Sequence, residues 1–536
     1  MSIEARLCRE IIKEDFGPFA SEVAEQLLLK GRQTLQELAR HTQYTVKRVK
    51  EILIIFICHG LLYFTESIEE RKDATVYELD QHNVLMRLRM GRILRITEEH
   101  YGKVGSSICQ LLFLYGRVKL SQVKEWAVSN DTKHKDETAY VKTFTRMAID
   151  QFIAAVLPIH SRSSLDMTRD IEEELSKKYT IMTAADKKVV KLAAQAQAEA
   201  VFEHERIGMK RKLDITATES ETKRLAQEND LPYDIDPTVF FALNYEKYNI
   251  AFRNNMITDF ATDRINRTAG IVLKAFLRNG KDKMKIVKEE TSAASTPNHI
   301  ANMLHPEVLE RGDIILPRDP SNPKKKPTVS ETIEGYVKLL KTDTAGFLTT
   351  KDQLGPNHYA VNFEKLRYNM KKRLFENSIT ERYGRAVCRI VRILLDKGKM
   401  DESQIQKISM LPLKDIRQKL EMLFADGIVE IQEVPRSTDR ATSRSFHLWH
   451  VPLEKCFEDL LTKAYKIIVN LQQRKVEELQ QRSRLLEKMN RKDVIANMDL
   501  LNEIDKAEVG NMNKIIERIE VSKARLDEMA MILRDF

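Results

Sequence analysis

The first thing this chain lacks is cysteine chemistry. Only five cysteines occur in 536 residues. Cys8, Cys58, Cys109, Cys388 and Cys456 lie far apart inside apolar helical runs, with no CxxC pair and no histidine cluster beside them. They read as reduced core thiols of an intracellular protein, not as metal ligands. Long hydrophobic runs are missing too: the longest, Ile52 to Cys58, falls far short of the roughly 20 residues a membrane span needs. The opening Met1-Ser2-Ile3-Glu4-Ala5-Arg6 enters an amphipathic pattern without a signal-type apolar core, so cytosol or nucleus is expected and a membrane is not. Catalytic motifs are absent as well. No GxxxxGK[ST] loop, no GxGxxG after a strand, no HExxH and no GxSxG occurs, which removes the minimal parts of nucleotide, metal and acyl-transfer chemistry. Asp234-Ile235-Asp236 resembles paired carboxylates for magnesium, but its place between Pro232 and Pro237 reads as a solvated turn. No cofactor and no metal are expected, and the chain is not an enzyme by itself.

What is present is a large, mildly basic chain. Lysine and arginine outnumber aspartate and glutamate by 88 to 79, a formal charge of +9. That balance favours an acidic partner, nucleic acid or an acidic protein, without choosing between them. With 42% hydrophobic and 31% charged residues, the chain is globular material for roughly three to five domains.

One unit recurs, most clearly from Arg385 to Val451. Val387, Ile390, Val391 and Leu394 mark a helix that stops at Lys397-Gly398. A short helix carries Ile405 and Ile408, Leu411-Pro412 breaks it, and Leu413, Ile416, Leu420 and Leu423 form a third. From Ile428 the period changes to two, and Ser445 to Trp449 returns antiparallel as a wing. A first copy spans residues 3 to 80, where Thr34-Leu35-Gln36-Glu37 is a capping box. The second has a long helix from about Val84 to Tyr115, a third helix from Tyr140 to Ile149, and a wing strand Phe152 to Leu157. Its partner strand is assigned to Val239 to Leu243, beyond a long polar insertion. The third has helices at Phe260 to Leu277, Thr296 to Leu304 and Val329 to Leu340, with wing strands near Phe347 to Thr349 and His358 to Val361. A strand hands over through a polar residue to a helix at Leu79-Asp80, Leu243-Asn244, Val361-Asn362 and Trp449-His450, one junction used four times. Near the end, Met512, Ile519, Leu526 and Leu533, with Ile515, Ser522 and Met529 between them, form a heptad stripe facing a similar one from Leu461. The expected fold is mainly α with small β-hairpin wings: four tandem, partly extended winged-helix domains and a C-terminal coiled-coil hairpin. The domains fall at 1–81; at 82–243, with a wing insertion at about 160–236; at 244–363, with an insertion at about 305–327; at 364–452; and at 453–536, an antiparallel coiled coil that folds back around Asn490 to Leu500.

Basic residues gather where a helix-turn-helix would meet DNA. Lys47, Arg48 and Lys50 open the third helix of the first copy; Lys414, Arg417 and Lys419 do so in the fourth, where Arg436, Arg440 and Arg444 decorate the wing tip. Glu51, Asp415 and Glu421 are interleaved, so a solvated face or a protein contact is favoured over DNA, and any DNA contact falls on phosphates. Lys210-Arg211-Lys212 and Lys324-Lys325-Lys326 are lone basic triplets of the nuclear-import or phosphate-binding kind.

Three segments carry a family resemblance: Glu4 to Gly17; Glu381-Arg382-Tyr383-Gly384-Arg385-Ala386-Val387-Cys388-Arg389-Ile390; and Ile431 to Pro435 with Ser443 to Trp449. With the four interrupted units and the closing heptads, they resemble the family of the third subunit of RNA polymerase III, the large winged-helix member of that enzyme's specific heterotrimer. The likeness covers nearly the whole chain and is weakest at His160 to Asp236 and Pro306 to Pro327. It implies a nuclear, non-catalytic subunit on the clamp of the largest subunit, with two smaller partners. It also implies contact with initiation factors and promoter opening at transfer-RNA, 5S and other short genes. The family is similar in turn to the alpha subunit of the polymerase II initiation factor E, whose zinc ribbon the cysteine spacing here excludes. An architectural winged-helix scaffold in another nuclear or cytosolic assembly is the alternative, and a free sequence-specific transcription factor a third reading.

Overall fold

The computed structural model describes residues 1–67, 74–130, 137–177, 183–202, 208–211, 233–304, 314, 328–351, 355, 357–435, 445–496 and 501–536. They form two compact units, Met1–Tyr248 and Asn249–Phe536, and among them no helix is long and apolar enough to cross a membrane.

The first unit opens with the helix Ile3–Phe16, capped by the Ser2 side chain accepting from the Ala5 amide. Gly17, at φ 88°, turns the chain into Pro18–Lys30. Thr34 and Glu37 cap each other to start Leu35–Thr42, and Val46–Cys58 follows. Val23, Leu27, Leu38, Val49, Leu53 and Phe56 fill the space between these helices, each at most 3% exposed. Their spacing puts them on one stripe of each helix, and that burial drives the packing. Leu62–Ser67 pairs antiparallel with Ala74–Leu79, Leu62 opposite Leu79, and Gln33–Thr34 adds a short third strand.

The second copy departs from its expected long helix. Gln81–Met86 passes through a 3₁₀ turn into Met90–Tyr115, which breaks at Gly102, where φ is 70° and ψ −167°. Helical propensity is high on both sides of this glycine, which is why the pattern looks continuous. Leu120–Asn130 and Glu137–Ile149 complete the three helices. Ile153–Val156 pairs with Phe240–Leu243, Ile153 opposite Leu243. Between those strands lie the helices Ser164–Ser176 and Ala184–Phe202 and a small hairpin of Met209–Arg211 with Tyr233–Ile235. That hairpin corrects the expected solvated turn at Asp234: Ile235 is 4% exposed and joins the core around Phe144 and Phe241.

In place of the expected helix Phe260 to Leu277 there are two helices, Tyr245–Arg264 and Arg267–Asn279, divided at Asn266. Pro297–Met303 and Val329–Thr342 follow, the latter opened by a reciprocal Thr328 and Glu331 cap. Leu348–Thr350 pairs with Tyr359–Val361. The next copy runs Phe363–Tyr383, Arg385–Lys397, Glu402–Ser409 and Leu413–Ala425, then pairs Glu430–Pro435 with Ser445–His450. Ile390, Val391, Ile405, Ile416, Leu420, Leu423 and Val429 are wholly buried around Trp449. Reciprocal amide bonds between Met400 and Trp449, 2.8 and 3.0 Å, tie the wing to the helices.

The last two long helices, Leu453–Gln481 and Glu503–Arg534, form an antiparallel hairpin, with Lys475 meeting Glu520 and Tyr465 meeting Arg534. The heptad stripe is buried at Met512, Ile519 and Leu533 and half-buried at Leu526 and Met529; Ser522 is exposed, and Lys523, Asp527 and Ala530 are buried beside the stripe. Lys523 donates to the buried Gln472 at 2.5 Å, a polar contact beside the apolar stripe. The stretches 69–73, 318–327 and 497–500, and Lys212, lie outside the described residues.

A shared joint repeats in all four copies. Where the leading helix meets the next, the last side chain reaches the residue that ends the third helix. Phe16 lies edge-on to His59, centroids 4.9 Å apart; Tyr101 donates to Asp150; Arg264 meets Asp343 at 2.8 Å; Tyr383 donates to Asp426. Burial and Asp426 push the Tyr383 phenol up to about 12, so the donor stays protonated. Burial and nearby Arg87 hold His59 at about 4, a neutral ring against Phe16. The pivot residue is Gly17, Gly102 or Gly384 where φ is positive and ψ near 180°, and Asn266 where φ is −166°. Only glycine enters the first conformation cheaply, while any residue takes the second. An added Cβ at Gly102 or Gly384 meets nothing within 4 Å, so Gly384→Ala is expected to cost about 1–3 kcal/mol by backbone strain alone. Asn266→Gly loses the cap to the Ala269 amide and the 3.4 Å bond to the Tyr336 hydroxyl but adds no backbone strain, and is expected to cost about 1 kcal/mol. Urea unfolding of the two variants measures this asymmetry.

Candidate nucleic-acid interface

The third helix of the first copy, Val46–Cys58, begins without an acidic residue in its first turn. Lys47, Arg48 and Lys50 are all exposed there. Their charges add to the positive end of the helix dipole, an arrangement that disfavours the isolated helix start and favours an anion against it. Among the described residues neither Lys47 nor Lys50 enters a salt bridge.

Arg48 is held differently. Its guanidinium lies 3.6 Å from the centre of the Phe19 ring and 5.3 Å from that of Tyr44. The Tyr44 hydroxyl donates to Glu22, and that bond raises the Tyr44 pKa above its ordinary value. Phe19 and Tyr44 thus fix the planar cation beside two exposed ammonium groups. Neither aromatic was among the expected site residues. Tyr44 and Arg48 do stand four apart, but they span the helix start, and Phe19 arrives from the preceding helix.

The same helix changes character along its length. Ile54 and Ile55 are 49% and 44% exposed, and they line an open groove of about 630 Å³ with Met90, Leu94, Phe113 and Leu114. One end of the helix suits phosphate and the other suits apolar protein surface.

The corresponding helix of the fourth copy, Leu413–Ala425, is less cationic. Asp415 sits in its first turn, Arg417 meets Glu402 at 2.7 Å, and Lys419 is half-buried. Lys414 is exposed. Arg436, Arg440 and Arg444 lie outside the described residues. The six basic residues that are described therefore fall into two separate groups, one in each unit, and the first has the greater unpaired charge.

Comparison with known proteins places both helices inside matched regions. Residues 6–67 match a family model described as the RNA polymerase III subunit RPC82 helix-turn-helix domain. Residues 142–370 match RNA polymerase III subunit RPC82, including the stretches where the sequence likeness is weakest. Residues 375–451 match the POLR3C C-terminal winged-helix domain. The chain is 23% identical over 556 residues to the mouse DNA-directed RNA polymerase III subunit RPC3, covering 99% of this chain and 98% of the relative. It is 23% identical to the human protein of the same name, with the same coverage. It is also 23% identical to the Emericella nidulans protein, over 99% of each chain. Three consecutive family matches on a mostly helical chain with small antiparallel wings, and relatives aligned from end to end, agree: this chain belongs to the RNA polymerase III subunit RPC82/RPC3 family, whose members are accessory rather than catalytic subunits of that enzyme.

Proposed function

We propose that this protein acts in the nucleus as a non-catalytic subunit of RNA polymerase III, together with two smaller subunits, in promoter-dependent initiation at transfer-RNA, 5S and other small RNA genes. Its winged-helix faces and helical hairpin hold protein partners, among them the clamp of the largest subunit and the initiation factors. Its basic helix start lines the path of promoter DNA. The observation that carries the DNA part is the exposed first turn of Val46–Cys58, with Lys47 and Lys50 outside any described salt bridge and Arg48 stacked beside them. Such a surface binds phosphate without reading bases, so its contact is salt-sensitive and sequence-independent.

A scaffold role within the polymerase, without DNA contact, is the second reading. The Arg417 pair with Glu402 and the apolar groove beside Ile54 favour it. Purification of a tagged chain tests the assignment to the enzyme. Polymerase III subunits, including two smaller partners in equal amounts, are expected in the eluate, and a different stable complex would overturn it.

A further inference from the structure

The second unit carries a groove that neither DNA contact nor winged-helix packing uses. Its floor is apolar: Met256 and Phe260 from Tyr245–Arg264, Met370 and Leu374 from Phe363–Tyr383, and Met529 and Ile532 from Glu503–Arg534. The space is about 380 Å³, room for a few aliphatic side chains. Three methionines give it a soft, adaptable surface of the kind that accepts varied apolar partners.

Its rim is acidic. Asp259, Asp263, Glu381 and Glu528 stand around the opening, and Arg373 is the one basic residue lining it. Four carboxylates less one guanidinium leave three negative charges in excess, in a chain whose formal charge is +9. Arg373 is already engaged, 3.8 Å from Asp263 and 5.1 Å from the centre of the Phe260 ring. Burial and the charge of Asp263 raise the Asp259 carboxyl above its usual range, only partly offset by Lys274. That carboxylate gains from an added cation.

We propose that this groove seats an amphipathic helix of a partner protein, its apolar stripe between Met256, Met370 and Met529 and its flanking lysine or arginine side chains against Asp259 and Glu381. Helix-in-groove recognition needs both parts, an apolar slot for residues three and four apart and a rim of opposite charge. The excess negative charge rejects nucleic acid and anionic lipid surfaces, and an open slot with charged walls suits a side-chain stripe better than a small apolar molecule.

Titration of the full chain with a labelled peptide of about five helical turns, leucine at i, i+3, i+4 and i+7 and lysine elsewhere, tests this. Saturable one-to-one binding is expected, and a twin peptide with glutamate in place of lysine should not bind. The double variant Asp259→Lys with Glu381→Lys should bind the lysine peptide about tenfold or more weakly. Asp259→Asn with Glu381→Gln should fall between, and serves if the reversal unfolds the chain. Glu98→Lys with Glu174→Lys, exposed in the first unit and equal in charge change, should leave binding intact. Equal binding by the reversed variant, binding of the glutamate twin, or an equal loss in the control overturns the proposal. So does a self-associated chain that the reversal dissociates, because the occupant would then be a second copy. In assembled polymerase, a photo-crosslinker at the exposed Asn377 should capture a segment with apolar and basic residues at helical spacing; capture of DNA, or of nothing, counts against it.

Discussion

Polymerase III carrying Lys47→Glu, Arg48→Glu and Lys50→Glu in this subunit is expected to open promoter DNA roughly tenfold less at low salt, while the subunit stays bound. Each reversal removes a phosphate partner and adds a repelling charge at the positive end of a helix, so loss should exceed that of neutral substitution. Arg48 needs separate treatment because it also stacks on Phe19 and touches Tyr44, a contact of the order of 0.5–2 kcal/mol. Lys47→Glu with Lys50→Glu leaves that stack in place and should keep most of the effect. If the double variant opens promoters normally and only the triple fails, the role of this corner is packing rather than DNA contact. Lys414→Glu, on a helix start already balanced by Asp415 and by the Arg417 pair with Glu402, should do much less.

Ile416→Ala is expected to destabilise the fourth winged helix by about 2–5 kcal/mol. Ile416 is fully buried in the cluster that includes Leu394, Leu420 and Trp449, and truncation leaves a cavity that the rigid hairpin and its two amide bonds to Met400 resist filling. The chain supplies its own reporters, because its two tryptophans fall in different units: Trp126 in Met1–Tyr248 and Trp449 in Asn249–Phe536. In a Trp126→Phe background, Trp449 fluorescence should show the urea midpoint falling by about 1–2 M. In a Trp449→Phe background, the Trp126 transition should stay within a few tenths of a kcal/mol, as distant independent sites do. Equal shifts of both would mean that the units unfold as one block.

Much of this architecture could be read from the residues, and the exceptions have definite causes. The strand-to-helix junction at Leu243-Asn244 was enough to find the partner of Ile153–Val156 across a long insertion, because a strand edge must be satisfied and the junction chemistry recurs. The break at Gly102 was hidden, since a single glycine within helical sequence costs only about 1 kcal/mol and need not stop a helix. The aromatic-glycine pairs Phe16-Gly17, Tyr101-Gly102 and Tyr383-Gly384 carried that signal, and Asn266 concealed the fourth instance by holding the same joint at an extended φ. The heptad pattern was legible at Met512, Ile519 and Leu533 and missed only the exposed Ser522 and the buried contact of Lys523 with Gln472, because a buried polar pair leaves no apolar periodicity to read. Among the site residues, Lys47, Arg48 and Lys50 could be placed by helix position alone. Phe19 could not, nor could the acidic groove, whose walls come from three helices far apart in sequence.

The central claim, a backbone-directed DNA contact at the start of Val46–Cys58 within assembled polymerase III, is tested most directly by the salt dependence of promoter binding. The logarithm of affinity against the logarithm of salt should be shallower by about two to three units with Lys47→Gln, Arg48→Gln and Lys50→Gln than with the unaltered subunit. Parallel lines would contradict it.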